Sequence, residues 1–133
     1  MTNERQTAVG PVMKFIECIN RGDVDGLSAL MTDGHTLQVL DEVPLVGRAA
    51  NVEAWRGYTS AFPNYVIYAH QFAERGDEIA VLGHTTGSHL GLPDHEEKML
   101  TVIWFARVEN GRLSLWRIFD DDECRRDELG LTR

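Results

Sequence analysis

Residues 97–120 read EKMLTVIWFARVENGRLSLWRIFD, and this stretch decides the fold class. Asn110-Gly111 lies between two runs rich in β-branched and aromatic residues, which are typical of β-strands with their period of two. An Asn-Gly pair readily adopts the positive φ angles that a tight hairpin turn needs. The stretch therefore predicts two long antiparallel strands, residues 97–109 and 112–120, joined by a hairpin turn.

The same period of two extends upstream to Tyr65. Residues 65–74 and 78–89 predict two more long strands, separated by the turn residues Arg75-Gly76-Asp77. A shorter β-prone segment covers residues 36–40. Because consecutive long strands with short joints pair as neighbours, we expect a curved, mainly antiparallel sheet of five to six strands.

The first half of the chain has the helical period instead. Apolar residues recur at every third or fourth position of the first segment, namely Val9, Val12, Met13, Ile16 and Ile19. Asp23 can cap a short second helix whose apolar residues are Val24, Leu27, Leu30 and Met31. A third helix spans residues 48–61 and stops at Phe62-Pro63. Three helices laid over the sheet make the fold class α+β.

Composition and charge narrow the class of protein. A chain of 133 residues and 15.0 kDa suits one domain over residues 1–133. The net charge is −8 and no basic cluster exceeds Arg125-Arg126, so we expect neither nucleic acid nor membrane as a partner. Without a membrane-spanning run or a secretory signal, a cytoplasmic location is expected. Cys18 and Cys124 match no metal-binding spacing.

Several short segments carry a resemblance to one family. They are Asn20-Arg21-Gly22-Asp23, Gly47-Arg48, the run 76–81, Thr86-Gly87-Ser88-His89 and Asn110-Gly111-Arg112-Leu113. Over residues 9–121, their order and spacing resemble the SnoaL-like polyketide cyclases, within the superfamily named for nuclear transport factor two. The resemblance implies a cone-shaped α+β barrel with a deep pocket between the sheet and the helices. It also implies a homodimer.

The resemblance, combined with strand alternation, indicates which side chains line this pocket. The implied ligand-binding residues are Leu37, Val39, Trp55, Tyr58, Phe62, Val81, Thr85, Trp104, Trp116 and Ile118. Many of them are aromatic, and aromatic walls suit a small, flat, apolar molecule. The same cluster would also make an ordinary hydrophobic core, so both a ligand cavity and a filled core remain open.

The limonene epoxide hydrolases belong to the same superfamily, but their catalytic residues have no counterparts in this chain. Limonene epoxide hydrolases use a buried Asp–Arg–Asp set, and the matching positions here are Ile118, Gly83 and Thr85. Epoxide hydrolysis by that mechanism is therefore not expected. The acid/base Asp of the SnoaL-type cyclases also falls at Ile118, so their mechanism does not transfer unchanged.

Two residues are candidates for acid/base catalysis. Asp120 lies one step beyond Ile118 on the same strand face, where an apolar pocket mouth would raise the pKa of its carboxyl. By strand alternation, the His89 side chain faces the pocket. Its imidazole can exchange protons near neutral pH. An indole N–H of Trp116 or Trp104, or the Tyr58 hydroxyl, could stabilise an enolate oxygen. The alternatives are a helix-capping acidic run starting at Asp120 and a hydrogen-bonding role for His89 at the pocket rim.

The other histidines indicate no metal site. His84 and His89 are five positions apart on a predicted strand and point to opposite faces, so they cannot share an ion with His95. His35 and His70 are expected at strand edges. We expect no metal and no cofactor.

Two functions remain open from the sequence. The first is a cofactor-independent cyclase or isomerase that abstracts a proton from an apolar, carbonyl-bearing substrate, with Asp120 or His89 as the base. The second is a non-catalytic binding protein of the same fold that holds an apolar ligand or acts as a dimeric interaction module. Loss of the family's charged positions favours the second, whereas a carboxylate beside an aromatic pocket favours the first.

Overall fold

The computed structural model describes residues 8–131, which form five helices and six strands. The helices are α1 (Val9–Arg21), α2 (Val24–Ala29), α3 (Arg48–Ala61), α4 (Asp94–Glu97) and α5 (Glu123–Leu129). The strands are β1 (Met31–Val39), β2 (Leu45–Val46), β3 (Val66–Arg75), β4 (Glu78–Thr86), β5 (Val102–Glu109) and β6 (Arg112–Asp120). The α+β class is confirmed, and α3 and β6 have their predicted bounds.

All six strands belong to one sheet in the order β2-β1-β6-β5-β4-β3. The β1–β6 pair is parallel and the other pairs are antiparallel, so the sheet is mixed. A parallel pair needs a long connection, and between β1 and β6 the chain runs through β2, α3, β3, β4, α4 and β5. No helix within residues 8–131 is long and apolar enough to cross a bilayer.

The prediction of one strand over residues 97–109 is wrong. The helix α4 occupies Asp94–Glu97, and β5 begins only at Val102. Pro93 precedes α4 with an extended backbone, and acidic residues fill the first turn, where they favour a helix start. Likewise Met31, expected in the second helix, is the first residue of β1.

The main core lies between the sheet and α1, with α3 closing one side. Its largest fully buried side chains include Trp104, Trp116 and Phe15. A smaller core on the opposite sheet face contains Ala80, Leu82, Ile103 and Leu131. The division of β4 into inward Val81 and outward Ala80 and Leu82 agrees with the predicted alternation.

The alternation fails at the start of β6. Strict alternation along β6 predicts Leu113 on the face opposite Trp116, yet both side chains are fully buried in the main core. The register explains this, because Val108 pairs with Leu113 whereas Arg107 pairs with Leu115, which leaves Ser114 as an extra residue. A bulge of this kind shifts the parity of every residue before it.

His35 is also not where the sequence suggested. Instead of lying at a strand edge, its side chain is fully buried, and Nδ1 lies 2.7 Å from the Leu113 carbonyl oxygen. A carbonyl oxygen only accepts, so Nδ1 carries the proton of this bond. Burial lowers the pKa of His35, although the hydrogen bond to Leu113 opposes this. The imidazole is therefore held in its neutral form.

The segment Asn20-Arg21-Gly22-Asp23 attaches α1 to the sheet and begins α2. The Asn20 amide donates to the Ile67 carbonyl at 3.1 Å and accepts from the Ile67 N–H at 2.8 Å, which fixes α1 on β3. Gly22 ends α1 with a φ of 68°, in the left-handed region that favours glycine. Asp23 Oδ1 accepts from the Gly26 N–H at 2.9 Å and so caps α2.

Replacing Gly83 by alanine tests the close approach of β3 and β4. A Cβ at Gly83 would lie 2.0 Å from the Tyr68 carbonyl oxygen. We expect Gly83→Ala to lower the free energy of unfolding by at least about 2 kcal/mol in urea denaturation. Gly57→Ala on α3 is the control, because a Cβ added there would have no atom of another element within 4 Å. We expect it to raise the free energy of unfolding by up to about 1 kcal/mol. Wild-type stability in Gly83→Ala would contradict the strand spacing.

Acidification should destabilise the protein through His35. Because its pKa is lowered on folding, the unfolded chain binds a proton first as the pH falls below about 6.5. The free energy of unfolding should then fall by up to about 1.4 kcal/mol per pH unit for this proton. We expect urea denaturation at about pH 7.5 and about pH 5.5 to show a smaller loss in His35→Asn than in wild type. Equal losses would show that His35 does not titrate differently in the two states.

Candidate functional site

A buried carboxylate lies near the ends of β4 and α4. The Glu97 residue is only 1% exposed, although it belongs to an acidic run that looks solvated in the sequence. The Thr85 hydroxyl donates to Glu97 Oε2, and the Ser88 backbone N–H donates to Oε1 at 3.4 Å. Within residues 8–131 no Lys, Arg or His forms an ion pair with Glu97. No periodicity or motif in the sequence marks Glu97 as a buried residue.

Two tyrosines lie in the electrostatic field of Glu97. Burial raises the pKa of Tyr65 far above its ordinary value, and the Tyr58 hydroxyl and the Glu97 charge raise it further. Burial likewise raises the pKa of Tyr58, with Glu97 adding to it and a hydrogen bond at His89 opposing it. The two phenol rings meet edge to face at 5.0 Å. Both phenols therefore stay protonated and act as hydrogen-bonding groups without charge.

His89 is connected to this group through Tyr58. The His89 backbone N–H donates to the Tyr58 hydroxyl at 3.1 Å, and His89 Nδ1 lies 2.9 Å from the same oxygen. Since the hydroxyl already accepts one hydrogen bond, it can donate its own proton to an unprotonated Nδ1. The pair joins α3 to the loop after β4. His89 itself is exposed, so it lies at the rim of the group.

A chain of aromatic rings leads from Tyr58 into the core. The ring centroid of Trp55 lies 6.2 Å from that of Tyr58 and 6.5 Å from that of Phe15. The centroids of Phe15 and Trp116 are 5.0 Å apart. Trp116 in turn stacks on Trp104, with 6.4 Å between their centroids. Within residues 8–131, none of the three buried indole N–H groups has a hydrogen-bond acceptor. Leaving a buried donor unpaired costs about 1–3 kcal/mol each. Three such donors in one interior are unusual and suit a ligand with acceptor atoms.

The structure places the ten predicted ligand-binding residues as follows. Trp55, Val81, Trp104 and Trp116 are buried in the main core, and Leu37, Tyr58 and Ile118 are half-buried against it. Thr85 is buried beside Glu97, and Val39 and Phe62 are half-buried. Their contact with a ligand remains a prediction.

Of the two predicted catalytic residues, Asp120 is not in the interior. It is the last residue of β6, opposite Val102, and its side chain is exposed, so the expected desolvation at a pocket mouth is missing. The acidic run that it starts does cap a helix, because Asp122 Oδ1 accepts from the Arg125 N–H at 2.7 Å at the start of α5. A catalytic role for Asp120 remains an untested prediction.

Metal-ligating side chains are scattered in the described part of the chain. Within residues 8–131 no three His, Cys, Asp or Glu side chains form a group that could hold a metal ion. His70 Nε2 and His84 Nδ1 do meet at 2.8 Å, on the outer side of β3 and β4. This pair lies on the sheet face opposite Val81 and Thr85.

Removing the Thr85 hydroxyl tests how Glu97 is held. Thr85→Val keeps the shape of the side chain but deletes the donor to a buried carboxylate, so we expect a loss of about 1.5–3 kcal/mol in the free energy of unfolding. Thr86→Val is the matched control on the next residue, where the hydroxyl reaches only Tyr68 Oη at 3.5 Å. Thermal and urea unfolding of both variants check this, and equal losses would refute a special role for the Thr85–Glu97 bond.

Comparison with known proteins agrees with this architecture. The sequence pattern of the SnoaL-like domain matches residues 12–116, whereas no curated protein matches the chain significantly. A candidate SnoaL-like polyketide cyclase from Jannaschia sp. CCS1 has a similar structure, with 15% identity, a TM-score of 0.71 and coverage of 99% of this chain and 100% of that one.

Two further solved structures are similar. An LEH-like epoxide hydrolase from M. tuberculosis has 17% identity and a TM-score of 0.73, with 90% of this chain and 83% of that chain covered. A candidate ketosteroid isomerase from Kribbella flavida has 18% identity and a TM-score of 0.69, with 86% and 78% covered. At these identities the likeness concerns the fold. Because the family pattern spans most of the chain and the fold agrees with it, the chain belongs to the SnoaL-like domain family.

Proposed function

We propose that this protein is a cofactor-independent enzyme of the cyclase or isomerase type. Its substrate is a small, apolar molecule with a carbonyl group, from which Glu97 removes a proton next to the carbonyl. The single observation that carries the proposal is a carboxylate that is 1% exposed in a fold whose aromatic interior also holds unpaired indole donors. The proposed base is therefore Glu97, in place of the predicted Asp120.

The proton transfer leaves a negative charge on oxygen. The carboxylate takes the proton, the C–H electron pair becomes a carbon–carbon double bond, and the carbonyl π pair moves to oxygen to form an enolate. Returning the proton to another carbon gives an isomer, and attack of the enolate carbon on a second carbonyl closes a ring. The N–H groups of Trp104 and Trp116 are the donors proposed for the enolate oxygen, since the core leaves them without acceptors.

The surroundings of Glu97 suit a base. A carboxylate has about four acceptor positions, and the Thr85 hydroxyl and Ser88 N–H use two of them. In the proposed reaction, one of the remaining positions receives the substrate proton. The resemblance to the epoxide hydrolases puts Thr85 at one of their charged positions, and in this chain α4 brings the Glu97 carboxylate next to Thr85.

The family relationship supports the proposal at the level of reaction type. Similar structures include candidates for a polyketide cyclase and a ketosteroid isomerase, although their low identity transfers no substrate. His89 is assigned the supporting role of holding Tyr58 beside the site. The resemblance also favours a homodimer, which the mass in solution would test.

A general test uses 5-nitrobenzisoxazole, a flat, apolar compound with an acidic C–H bond. When a base removes this proton, the ring N–O bond breaks and a coloured phenolate nitrile forms, with no cofactor. We expect the wild-type protein to accelerate this reaction over acetate of the same concentration. Glu97→Gln should reduce the rate by about 10²–10⁴-fold, the usual contribution of a positioned base.

The controls separate the competing assignments. Glu96→Gln changes the adjacent, exposed carboxylate and should leave the rate unchanged. Asp120→Asn tests the residue that the sequence favoured, and loss of the rate in that variant alone would return the base to Asp120. A wild-type protein that binds the probe without accelerating its ring opening would refute the enzyme and support the non-catalytic binding protein.

A further inference from the structure

His35 presents an unpaired acceptor atom to the interior of the protein. Its Nδ1–H donates to the Leu113 carbonyl oxygen. In the neutral ring Nε2 therefore has no proton and carries a lone pair that can accept a hydrogen bond. Nε2 is buried and, within residues 8–131, has no donor. The ring lies 5.8 Å from Phe15, on the side of the sheet that carries the main core.

Unpaired donors lie around the same phenylalanine. Trp55 and Trp116 both contact Phe15, and their indole N–H groups have no acceptor within the described residues. A core that served packing alone would pair such an acceptor with such donors or omit both. Instead, the Phe15 ring contacts two residues that have free donors and one that has a free acceptor. That combination matches a ligand that has both an acceptor oxygen and a hydroxyl group.

We infer that His35 is a ligand-recognition residue that accepts a hydrogen bond from a hydroxyl of the bound molecule. The ligand class is thereby narrowed to ring compounds that carry a hydroxyl, such as phenols, enols and hydroxyketones, in preference to hydrocarbons of the same shape. The inference rests on the proposed function, since it concerns the ligand of the same interior. It does not require that any reaction occurs.

The test compares two probes of nearly equal shape, 2-naphthol and 2-methylnaphthalene, by fluorescence titration. In the wild-type protein we expect the hydroxyl to be favoured over the methyl group, because Nε2 pairs with it. In His35→Asn the amide N–H can still donate to the Leu113 carbonyl, whereas the amide oxygen falls near the place of Cδ2 and does not reach the place of Nε2. We expect this variant to lower the ratio of the two affinities by about tenfold, the typical effect of one buried hydrogen bond.

Matched measurements keep the result interpretable. His70→Asn, an exposed residue on the outer sheet face, should leave the ratio unchanged. If His35 had a purely structural role, His35→Asn would lower the affinity for both probes equally and leave their ratio unchanged. An unchanged ratio would therefore overturn the inference. Should that variant fail to fold, the ¹⁵N resonance of His35 Nε2 in the wild-type protein is observed instead. It should shift with 2-naphthol and not with 2-methylnaphthalene, and the opposite result would also overturn the inference.

This inference and the proposed function fail in different ways. Loss of the naphthol preference in His35→Asn with an unchanged 5-nitrobenzisoxazole rate in Glu97→Gln would establish hydroxyl recognition without Glu97 catalysis. A Glu97-dependent rate with no naphthol preference would establish the base and refute the role of His35.

Discussion

The burial of two indole rings between the sheet and α1 is the constraint on which the rest of the structure depends. Trp104 and Trp116 stack at 6.4 Å on adjacent strands, and each is at most 1% exposed. Rings of this size each remove about 150–250 Å² from water, which requires a layer of helices over this face of the sheet. Phe15 of α1 supplies the cover at 5.0 Å from Trp116, and Asn20 holds the end of α1 on β3.

The same apolar interior increases the energetic effect of each polar group that is buried in it. Where water is excluded, a paired polar atom is held firmly and an unpaired one is costly. Glu97 belongs to the first kind, since a hydroxyl and a backbone N–H meet its two oxygens. His35 Nε2 and the three indole N–H groups belong to the second kind. The contrast separates a carboxylate that the protein itself partners from donors and an acceptor that, in the proposed function, a ligand would partner.

The helix α3 and the strand β6 could be predicted to the residue because their signals are local. A stop at Phe62-Pro63 and a turn at Asn110-Gly111 act on the neighbouring backbone alone. The start of β5 at Val102 could not be predicted, because residues 97–101 run without a turn signal into a β-prone stretch, whereas Pro93 and the acids after it start a short helix. The bulge at Ser114 is likewise invisible in a period of two, so Leu113 was placed on the wrong face.

By itself the sequence determined the α+β class, the hairpin of the last two strands and the aromatic character of the interior. Periodicity and turn chemistry are properties of neighbouring residues, and these features follow from them. Only the tertiary structure decided that Glu97 is buried while Asp120 is exposed, and that His35 lies in the core. Burial depends on which distant segments pack together, and here α4 folds back onto Thr85 while β6 ends in solvent.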